Sequence, residues 1–317
     1  MNITVLDALT LGSDVSAECF AALGNLTLYG GTAVKDVAER INDSEVVIVN
    51  KIKLNRDNLC NAKRLRLICV AATGYDNIDV EYCKERGIAV CNVVGYSADS
   101  VAQLTLAMVL SLATNLRQFC EYVQNGSYTK SGVANCLVPV YHELRGKTWG
   151  ILGAGSIGRQ VAKCAEAIGC NVVVCKRTPA ADLKCVDIDT LCKTSDIISV
   201  HIPLSDETRG IIDKRRIGMM KPDAIFVNVA RGAVVDEAAL ADAVKNGKIG
   251  AIGVDVYSKE PFGTEHPFYS IKDMKNVCLT PHMAWGAHEA RERCLTEMLL
   301  NIEAFLRGEK RNRVDLD

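Results

Sequence analysis

The sequence predicts an α/β protein with two domains, each built around a doubly wound parallel sheet. Short apolar runs alternate with helical patterns along most of the chain, which is typical of parallel strands joined by crossover helices. The runs form two series, divided by a long uncharged segment at residues 100–116. The chain has 317 residues, and one hydrophobic core usually stops growing at roughly 250 to 300 residues. Two domains are therefore expected.

The elements follow from these runs in chain order. The first series of strands is predicted at residues 3–6, 26–29, 46–49, 67–70 and 88–91. A long helix begins near Ala98, and a stretch rich in Gly, Ser and Asn follows at residues 125–135. The second series is predicted at residues 148–152, 171–175, 197–200, 224–229, 249–254 and 277–279. A last helical pattern runs from about residue 286 to 307 and ends at Gly308.

Composition limits the partners that the chain could bind. The formal net charge is -1, with acids and bases interspersed, so the electrostatic case for nucleic acid or anionic membrane is absent. A small molecule is the expected partner. The uncharged segment at residues 100–116 contains several polar residues and predicts a buried or interface helix rather than a membrane span.

The N-terminus and the cysteines indicate a cytoplasmic protein. Residues 1–10 contain Asp7 and no Lys or Arg, which favours a first strand over a signal peptide. The fourteen cysteines show no C-x-x-C spacing, and many lie inside apolar runs, so disulfides and a metal site are not expected. The protein is therefore expected in a reducing compartment.

A glycine-rich turn, G-A-G-S-I-G at residues 153–158, opens the second series of strands. A strand precedes it, and residues 159–168 read as a helix. In such a turn the first glycine permits the tight bend, the second lets the backbone approach a pyrophosphate, and the third lets the helix pack on the strand. The second series is therefore predicted to be a Rossmann dinucleotide-binding domain.

This position of the turn predicts the domain organisation. Residues 97–290 form the dinucleotide-binding domain, inserted into a flavodoxin-like substrate domain made of residues 1–96 and 291–317. The chain then crosses between domains twice, which suits a hinge with a ligand cleft.

The end of the next strand bears on the choice of cofactor. An NAD enzyme usually has an acidic residue there for the ribose 2′-hydroxyl. This strand instead ends in Lys176, Arg177 and Thr178, whose two cations suit a ribose 2′-phosphate. The sequence favours NADP over NAD. The alternative is that Lys176 and Arg177 form a solvated turn and NAD binds through other contacts.

Three polar residues follow the later strands. Arg231 lies in V-A-R-G, Glu260 in K-E-P and His282 in T-P-H-M-A-W. Hydride transfer to a 2-keto acid needs such a set: a cation for the carboxylate and carbonyl, a proton donor, and a carboxylate that holds the donor charged.

These motifs together resemble the D-isomer-specific 2-hydroxyacid dehydrogenases over essentially the whole chain. The matching segments are A-A-T-G-Y-D-N-I-D at residues 71–79, G-Y-S-A-D-S-V-A-Q at 95–103, the glycine turn, H-I-P-L at 201–204, N-V-A-R-G at 228–232, G-V-D-V-Y-S-K-E-P at 253–261 and P-H-M-A-W at 281–285. The second and last segments look most like the glycerate dehydrogenase and hydroxypyruvate reductase branch.

The resemblance implies roles for individual residues. Arg231 would hold the substrate carboxylate and carbonyl, His282 would give its proton to the carbonyl oxygen, and Glu260 would bond the far nitrogen of His282. The backbone at Thr73, Gly74 and Tyr75 would also bind the carboxylate, and Trp285 would wall the pocket. The residues expected at the cofactor are Gly153, Gly155, Ser156, Ile157, Gly158, Lys176, Arg177, Thr178, His201, Pro203, Thr208, Val229, Ala230 and Asp255, the last at the nicotinamide carboxamide.

The resemblance also implies a two-fold dimer through the helix at residues 100–116, which is apolar on more than one face. Small polar 2-keto acids, hydroxypyruvate and glyoxylate, are the favoured substrates, and the product is expected to be the D enantiomer. D-lactate formation and reduction of branched or aromatic 2-keto acids stay open. A more distant alternative is a dinucleotide sensor like the carboxy-terminal binding protein corepressors, but the additional segments of those proteins are not expected in a chain that ends at Asp317.

Overall fold

A computed structural model describes residues 1–316 and divides the chain into two compact units. Unit 1 consists of Met1–Ser97 and the chain from Gly286 onward, and unit 2 is Ala98–Trp285. The second division lies five residues before the position expected from the sequence. Arg291 explains the difference, because its guanidinium donates to the carbonyl oxygens of Gly286 and Leu11, both at 2.9 Å, and so holds Gly286 on unit 1.

Unit 1 contains a five-stranded parallel sheet in the order β2-β1-β3-β4-β5. This is the order of flavodoxin-like sheets, and the predicted arrangement is confirmed. The central strands β3 and β4 are buried at every residue, which accounts for their continuous apolar sequences V-V-I-V and L-I-C-V. The strands are β1 (Asn2–Val5), β2 (Asn25–Leu28), β3 (Val46–Val49), β4 (Leu67–Val70) and β5 (Ala89–Cys91).

Unit 2 contains a six-stranded parallel sheet in the order β11-β10-β9-β8-β6-β7. Beyond β7, Cys185 pairs with Val174 as a single parallel bridge. This bridge stands where the third strand of a Rossmann sheet is expected, so the predicted doubly wound arrangement is confirmed with that strand reduced to one residue. The strands are β6 (Thr148–Leu152), β7 (Asn171–Cys175), β8 (Ile197–Val200), β9 (Ile225–Asn228), β10 (Ala251–Val254) and β11 (Val277–Leu279).

Most of the helices cover the faces of the two sheets. Those of unit 1 are α1 (Val37–Arg40), α2 (Arg56–Leu59), α3 (Val80–Arg86) and α11 (His288–Leu306), the last packed on β4. Those of unit 2 are α4 (Ala98–Ala113), α5 (Leu116–Gln124), α6 (Ser127–Ser131), α7 (Ser156–Ala167), α8 (Ile188–Thr194), α9 (Lys214–Ile217) and α10 (Glu237–Lys245). Within residues 1–316, the structure contains no helix long and apolar enough to cross a membrane.

Helix α4 receives more cover from its own unit than its sequence suggested. It packs against α7, β9 and β10, and it buries Val101, Ala102, Met108 and Val109. Leu110 on its remaining face is 38% exposed. The larger exposed apolar surface lies after α4, in the extended segment of residues 132–143, where Leu137, Val138 and Val140 are each more than 70% exposed (73%, 76% and 71%).

Candidate active site

The glycine-rich turn joins β6 to α7 at the carboxyl edge of the second sheet. Gly153 has a positive φ of 95°, which favours glycine, and a Cβ at Gly158 would lie 2.0 Å from the carbonyl oxygen of Gly153. A Cβ at Gly155, in contrast, would meet no atom within 4 Å. Gly155 and Ser156 are exposed at the N-terminus of α7, and Ile157 is half-buried. The first and third glycines therefore shape the turn, while the second leaves open space in front of a helix N-terminus, as a bound pyrophosphate requires.

The end of β7 carries the predicted ribose-binding residues. Lys176 is half-buried, and Arg177 and Thr178 are exposed. An acidic residue that the sequence analysis did not include also lies here: Asp182 pairs with Arg159 of α7 at 2.5 Å. The Arg159 guanidinium lowers the pKa of the Asp182 carboxyl, and Lys176 adds to this effect. The predicted ribose end thus combines three cations with one carboxylate.

Other predicted cofactor residues follow β8, which is next to β6 in the sheet, and β9, which is next to β8. Val229 is buried and Ala230 half-buried directly after β9. After β8, the Thr208 hydroxyl donates to the Pro203 carbonyl at 2.7 Å and accepts from the Ser205 N–H at 2.7 Å. Because the carboxyl ends of parallel strands share one edge, these residues lie along the same edge as the glycine turn.

His201 lies at this edge with a buried ring. Its backbone N–H donates to the Leu152 carbonyl at the end of β6, and its Nε2 lies 3.0 Å from the Ser199 hydroxyl. That hydroxyl in turn accepts from the Trp149 indole at 2.9 Å. Within residues 1–316, His201 Nδ1 has no hydrogen-bond partner. Burial lowers the pKa of His201 to about 3, so the ring is neutral at physiological pH.

The three predicted catalytic side chains follow the neighbouring strands β9, β10 and β11. Arg231 comes three residues after β9, Glu260 six after β10 and His282 three after β11. His282 Nδ1 lies 2.6 Å from Glu260 Oε2, and these side chains are 20% and 30% exposed. The Tyr257 N–H donates to Glu260 Oε1 at 2.9 Å, so both carboxylate oxygens are engaged. A histidine held in this way by a carboxylate can serve as a general acid.

His282 has a left-handed backbone, with φ of 52°. Two groups hold this turn. The Asp255 carboxylate accepts from the Met283 and Ala284 N–H groups, both at 2.9 Å, and from the Thr280 hydroxyl at 2.6 Å. The Trp285 indole donates to the His282 carbonyl at 3.1 Å. Asp255, predicted at the nicotinamide, is fully buried and supports the histidine turn.

The predicted carboxylate-binding segment belongs to unit 1. Thr73, Gly74 and Tyr75 follow β4, and the Thr73 hydroxyl donates to the Val93 carbonyl at 2.8 Å. The Asn92 amide donates to the Thr73 carbonyl at 2.8 Å. These two bonds anchor the segment to the chain after β5. Tyr75 is 37% exposed.

Comparison with known proteins identifies the family. The model of the D-isomer specific 2-hydroxyacid dehydrogenase, NAD binding domain, matches residues 106–284. A hydroxypyruvate reductase of Blautia hydrogenotrophica is 35% identical, over 99% of this chain and 100% of that protein. A glyoxylate reductase of Thermococcus litoralis is 40% identical, over 84% of this chain and 81% of that protein. The chain belongs to the D-isomer-specific 2-hydroxyacid dehydrogenase family.

A solved structure has a similar fold over the whole chain. The acyclic imino acid reductase Bsp5, in complex with NADPH and D-Arg, matches with a TM-score of 0.88 and 29% identity, over 99% of this chain and 100% of that chain. The family resemblance stated from the motifs is confirmed. The matched NAD-binding domain includes the glycine turn, Arg231, Glu260 and His282 within unit 2 of this dehydrogenase.

Sequence reasoning missed two features of the site. The pairing of Asp182 with Arg159 depends on the path of the chain after β7, for which the sequence offers no local signal. The support of His282 by Asp255 and Trp285 was also missed. The short interval between Thr280 and Trp285, with a proline between them, indicates a tight turn and could have prompted a search for a capping carboxylate.

Proposed function

We propose that this dehydrogenase reduces a small 2-keto acid to the D-2-hydroxy acid with a nicotinamide cofactor. Arg231 begins the short turn of residues 231–234 after β9, here called the Arg231 turn. The pairing of His282 with Glu260, whose loop contacts this turn, on the same sheet as the glycine turn, supports this proposal most directly. When bound, the reduced nicotinamide would supply the hydride for the carbonyl carbon.

The protein residues would direct the rest of the reaction. Arg231 would bind the substrate carboxylate and polarise the carbonyl, and the backbone at Thr73, Gly74 and Tyr75 is proposed, from the family resemblance, as a second contact for the carboxylate. Because Nδ1 of His282 bonds Glu260, Nε2 is the atom that would pass a proton to the forming alkoxide. Glu260 would stabilise the imidazolium and fix the plane of the ring.

The proposed substrates are hydroxypyruvate and glyoxylate. The relatives named hydroxypyruvate reductase and glyoxylate reductase, at 35% and 40% identity, support this choice. The Trp285 ring is tied to the His282 carbonyl, so it stands beside the proton donor and would limit the volume left for the substrate side group.

A panel of substrates tests this function. Hydroxypyruvate, glyoxylate, pyruvate and phenylpyruvate are assayed with NADPH and NADH, and the configuration of each product is determined. We expect the highest kcat/KM for hydroxypyruvate or glyoxylate, with D products wherever a stereocentre forms. A higher value for phenylpyruvate or pyruvate would reject the substrate choice and keep the family, and an L product would reject the stereochemistry. Absence of turnover with every acid would favour a dinucleotide-sensing role.

NADP is the proposed cofactor in preference to NAD. Lys176, Arg177 and Arg159 outnumber Asp182 at the ribose end, and a 2′-phosphate there would form charge-assisted hydrogen bonds. Each such bond is worth about 1.5 to 3 kcal/mol.

Replacing Lys176 by aspartate tests the cofactor. Lys176→Asp should lower kcat/KM for NADPH by about 10- to 100-fold, since one charge-assisted bond is lost and a repulsion is added, and should raise preference for NADH. Lys193→Asp, an exposed change on α8, serves as the control and should leave the ratio unchanged. Equal or better use of NADH by the unmodified protein would reject the proposal.

A further inference from the structure

A second carboxylate lies beneath the loop that carries Glu260. Glu237, the first residue of α10, is 9% exposed, and it belongs to none of the sets predicted from the sequence. Its Oε1 accepts from the Ser258 N–H at 2.9 Å, and its Oε2 accepts from the Ser258 hydroxyl and from His266 Nε2, the latter at 3.1 Å. We call Glu237, Ser258 and His266 the Glu237 cluster.

His266 completes this cluster as a hydrogen-bond donor. Its Nδ1 accepts from the Phe268 N–H at 3.3 Å, so the ring proton lies on Nε2 and points at Glu237. The ring is 8% exposed and is enclosed by aromatic rings, with centroids 5.0 Å from Phe262, 5.2 Å from Phe268 and 6.0 Å from Tyr257. His266 therefore has a single orientation.

A buried carboxylate is expensive to desolvate, and here three donors and the N-terminus of α10 offset that penalty. Replacing such a group by apolar residues is often neutral or stabilising, so its presence needs a reason other than stability. Its contacts supply one. Two of the three hydrogen bonds come from Ser258, two residues before Glu260, and the third, from His266, holds the Glu237 carboxylate in place.

Ser258 also connects the Glu260 loop to the Arg231 turn. A Cβ at Gly232, the residue after Arg231, would lie 2.0 Å from the Tyr257 carbonyl carbon and 2.1 Å from the Ser258 nitrogen. The backbone of the Glu260 loop is thus in van der Waals contact with the Arg231 turn, and Glu237 holds the same peptide from α10. The Tyr257 N–H then fixes Glu260 Oε1 at 2.9 Å.

We propose that Glu237 and His266 form a positioning pair that holds Ser258 against the Arg231 turn and thereby sets where Glu260 meets His282. The pair does not touch the reacting atoms. The effect of the pair on turnover rests on the proposed function, in which His282 gives the proton. The effect of the pair on the Glu260–His282 hydrogen bond is independent of that function.

The first test therefore measures that hydrogen bond without turnover. The Nδ1–H resonance of His282 is assigned by NMR with His282→Gln and is then compared between the unmodified protein and Glu237→Ala. We expect it to shift or broaden in Glu237→Ala. The matched control is Asp196→Asn, which alters a carboxylate that joins the Thr148 N–H and Lys221 at the opposite edge of the same sheet, and the resonance should be unchanged there.

Kinetics provide the second test. Glu237→Ala should lower kcat by about 10- to 100-fold, because displacements on the order of 1 Å affect catalysis on that scale, while the Kd for NADPH stays within about threefold. The solvent deuterium isotope effect on kcat should rise, since proton transfer becomes slower relative to the other steps. Glu237→Gln keeps an acceptor for the Ser258 N–H and should restore part of the rate.

A purely structural role predicts a different pattern. Glu237→Ala and Asp196→Asn would then both lower the melting temperature, with the isotope effect, the kcat per folded molecule and the His282 resonance unchanged, and this result would overturn the proposal. If Glu237→Ala does not fold, Ser258→Ala removes only the hydroxyl contact and should lower kcat about fivefold with the same rise in isotope effect. An unaltered His282 resonance and rate in Ser258→Ala would also overturn it.

Discussion

At the scale of single residues, the site depends on a histidine in an uncommon backbone conformation. His282 has φ of 52°, a region that non-glycine residues enter at an expense of about 1 to 3 kcal/mol. Asp255 accepts three hydrogen bonds from the turn, and Trp285 donates one to it, so the surrounding contacts outweigh this expense. The same turn presents Nδ1 to Glu260, which leaves Nε2 as the proposed proton donor.

Removal of the His282 side chain should slow the chemical step. Transfer of a proton by a placed group contributes about 10² to 10⁴ in rate, so His282→Ala should lower kcat by that factor with hydroxypyruvate, and NADPH binding should survive. Stopped-flow turnover and fluorescence titration of NADPH measure the two effects. His288→Ala, at an exposed histidine of unit 1, serves as the control. Retention of most activity by His282→Ala would assign the proton to another group.

Because His201 is buried, we expect the folding stability of the protein to decrease in acid. Burial lowers its folded-state pKa to about 3, so the unfolded chain takes up a proton near pH 6.5 that the folded chain does not. This group's contribution therefore falls as the pH drops below about 6.5. The free energy of unfolding is measured with urea at pH 7.0 and at pH 5.5. Its decrease between these two pH values should be about 1 kcal/mol smaller in His201→Gln than in the unmodified protein. Equal losses in the two proteins would contradict the prediction.

At the scale of elements, two glycines of the glycine turn have different roles: Gly158 allows helix packing, and Gly155 leaves room for a ligand. A methyl group at Gly158 would overlap the Gly153 carbonyl, whereas one at Gly155 would enter open space. Gly158→Ala should therefore destabilise the fold by displacing α7 from β6, by about 1 to 3 kcal/mol, the usual range for overpacking. Gly155→Ala should leave the melting temperature unchanged and weaken NADPH binding. Thermal unfolding and fluorescence titration of both variants check this, and equal stability of the two would reject the assignment of roles.

The bounds of the strands and helices also indicate how accurately hydrophobic periodicity alone predicts secondary structure. Strands β3, β4 and β8 have the predicted bounds, while the ends of β1, β2, β9 and β10 differ by one or two residues. The differences have a physical cause, because an apolar residue next to a strand can be buried in the core and bonded to one neighbouring strand, as Leu6 and Ala224 are, without belonging to the regular ladder. Helices α1 and α2, of four residues each, are too short to show a helical period.

At the scale of the whole molecule, the segment at residues 132–143 predicts association. It follows α6, forms neither helix nor strand, and exposes Val133, Leu137, Val138, Val140 and Tyr141. A run of exposed apolar side chains of this kind is typical of an interface. Helix α4, through which the sequence predicts the dimer, contributes Leu110 to the exposed surface. We therefore expect a homodimer formed through unit 2.

Light scattering at micromolar concentration tests the assembly. The unmodified protein should have the mass of two chains, and Leu137→Asp should shift it toward one chain, because a charge buried in the interface would remain unpaired. Leu9→Asp is the matched control, since Leu9 in unit 1 is 75% exposed and Leu137 is 73% exposed. A monomeric unmodified protein, or equal dissociation by both variants, would contradict the prediction.

The sequence by itself determined the fold class, the family and the identities of Arg231, Glu260 and His282. It could do so because these signals are local: the apolar runs, the glycine turn and the short motifs after each strand are contained within a few residues. The contact between Glu260 and His282 was available only as an implication of the family resemblance.

Only the tertiary structure decided how the site is held together. Glu260 meets His282 across 22 residues of sequence, and both Asp255 with Ala284 and Glu237 with His266 meet across 29. Such contacts depend on strand order and on the packing of loops at one sheet edge, to within a few tenths of an ångström. Hydrophobic periodicity reports which residues are buried and carries no information about which buried carboxylate faces which donor, so this arrangement becomes visible only when the strands are assembled.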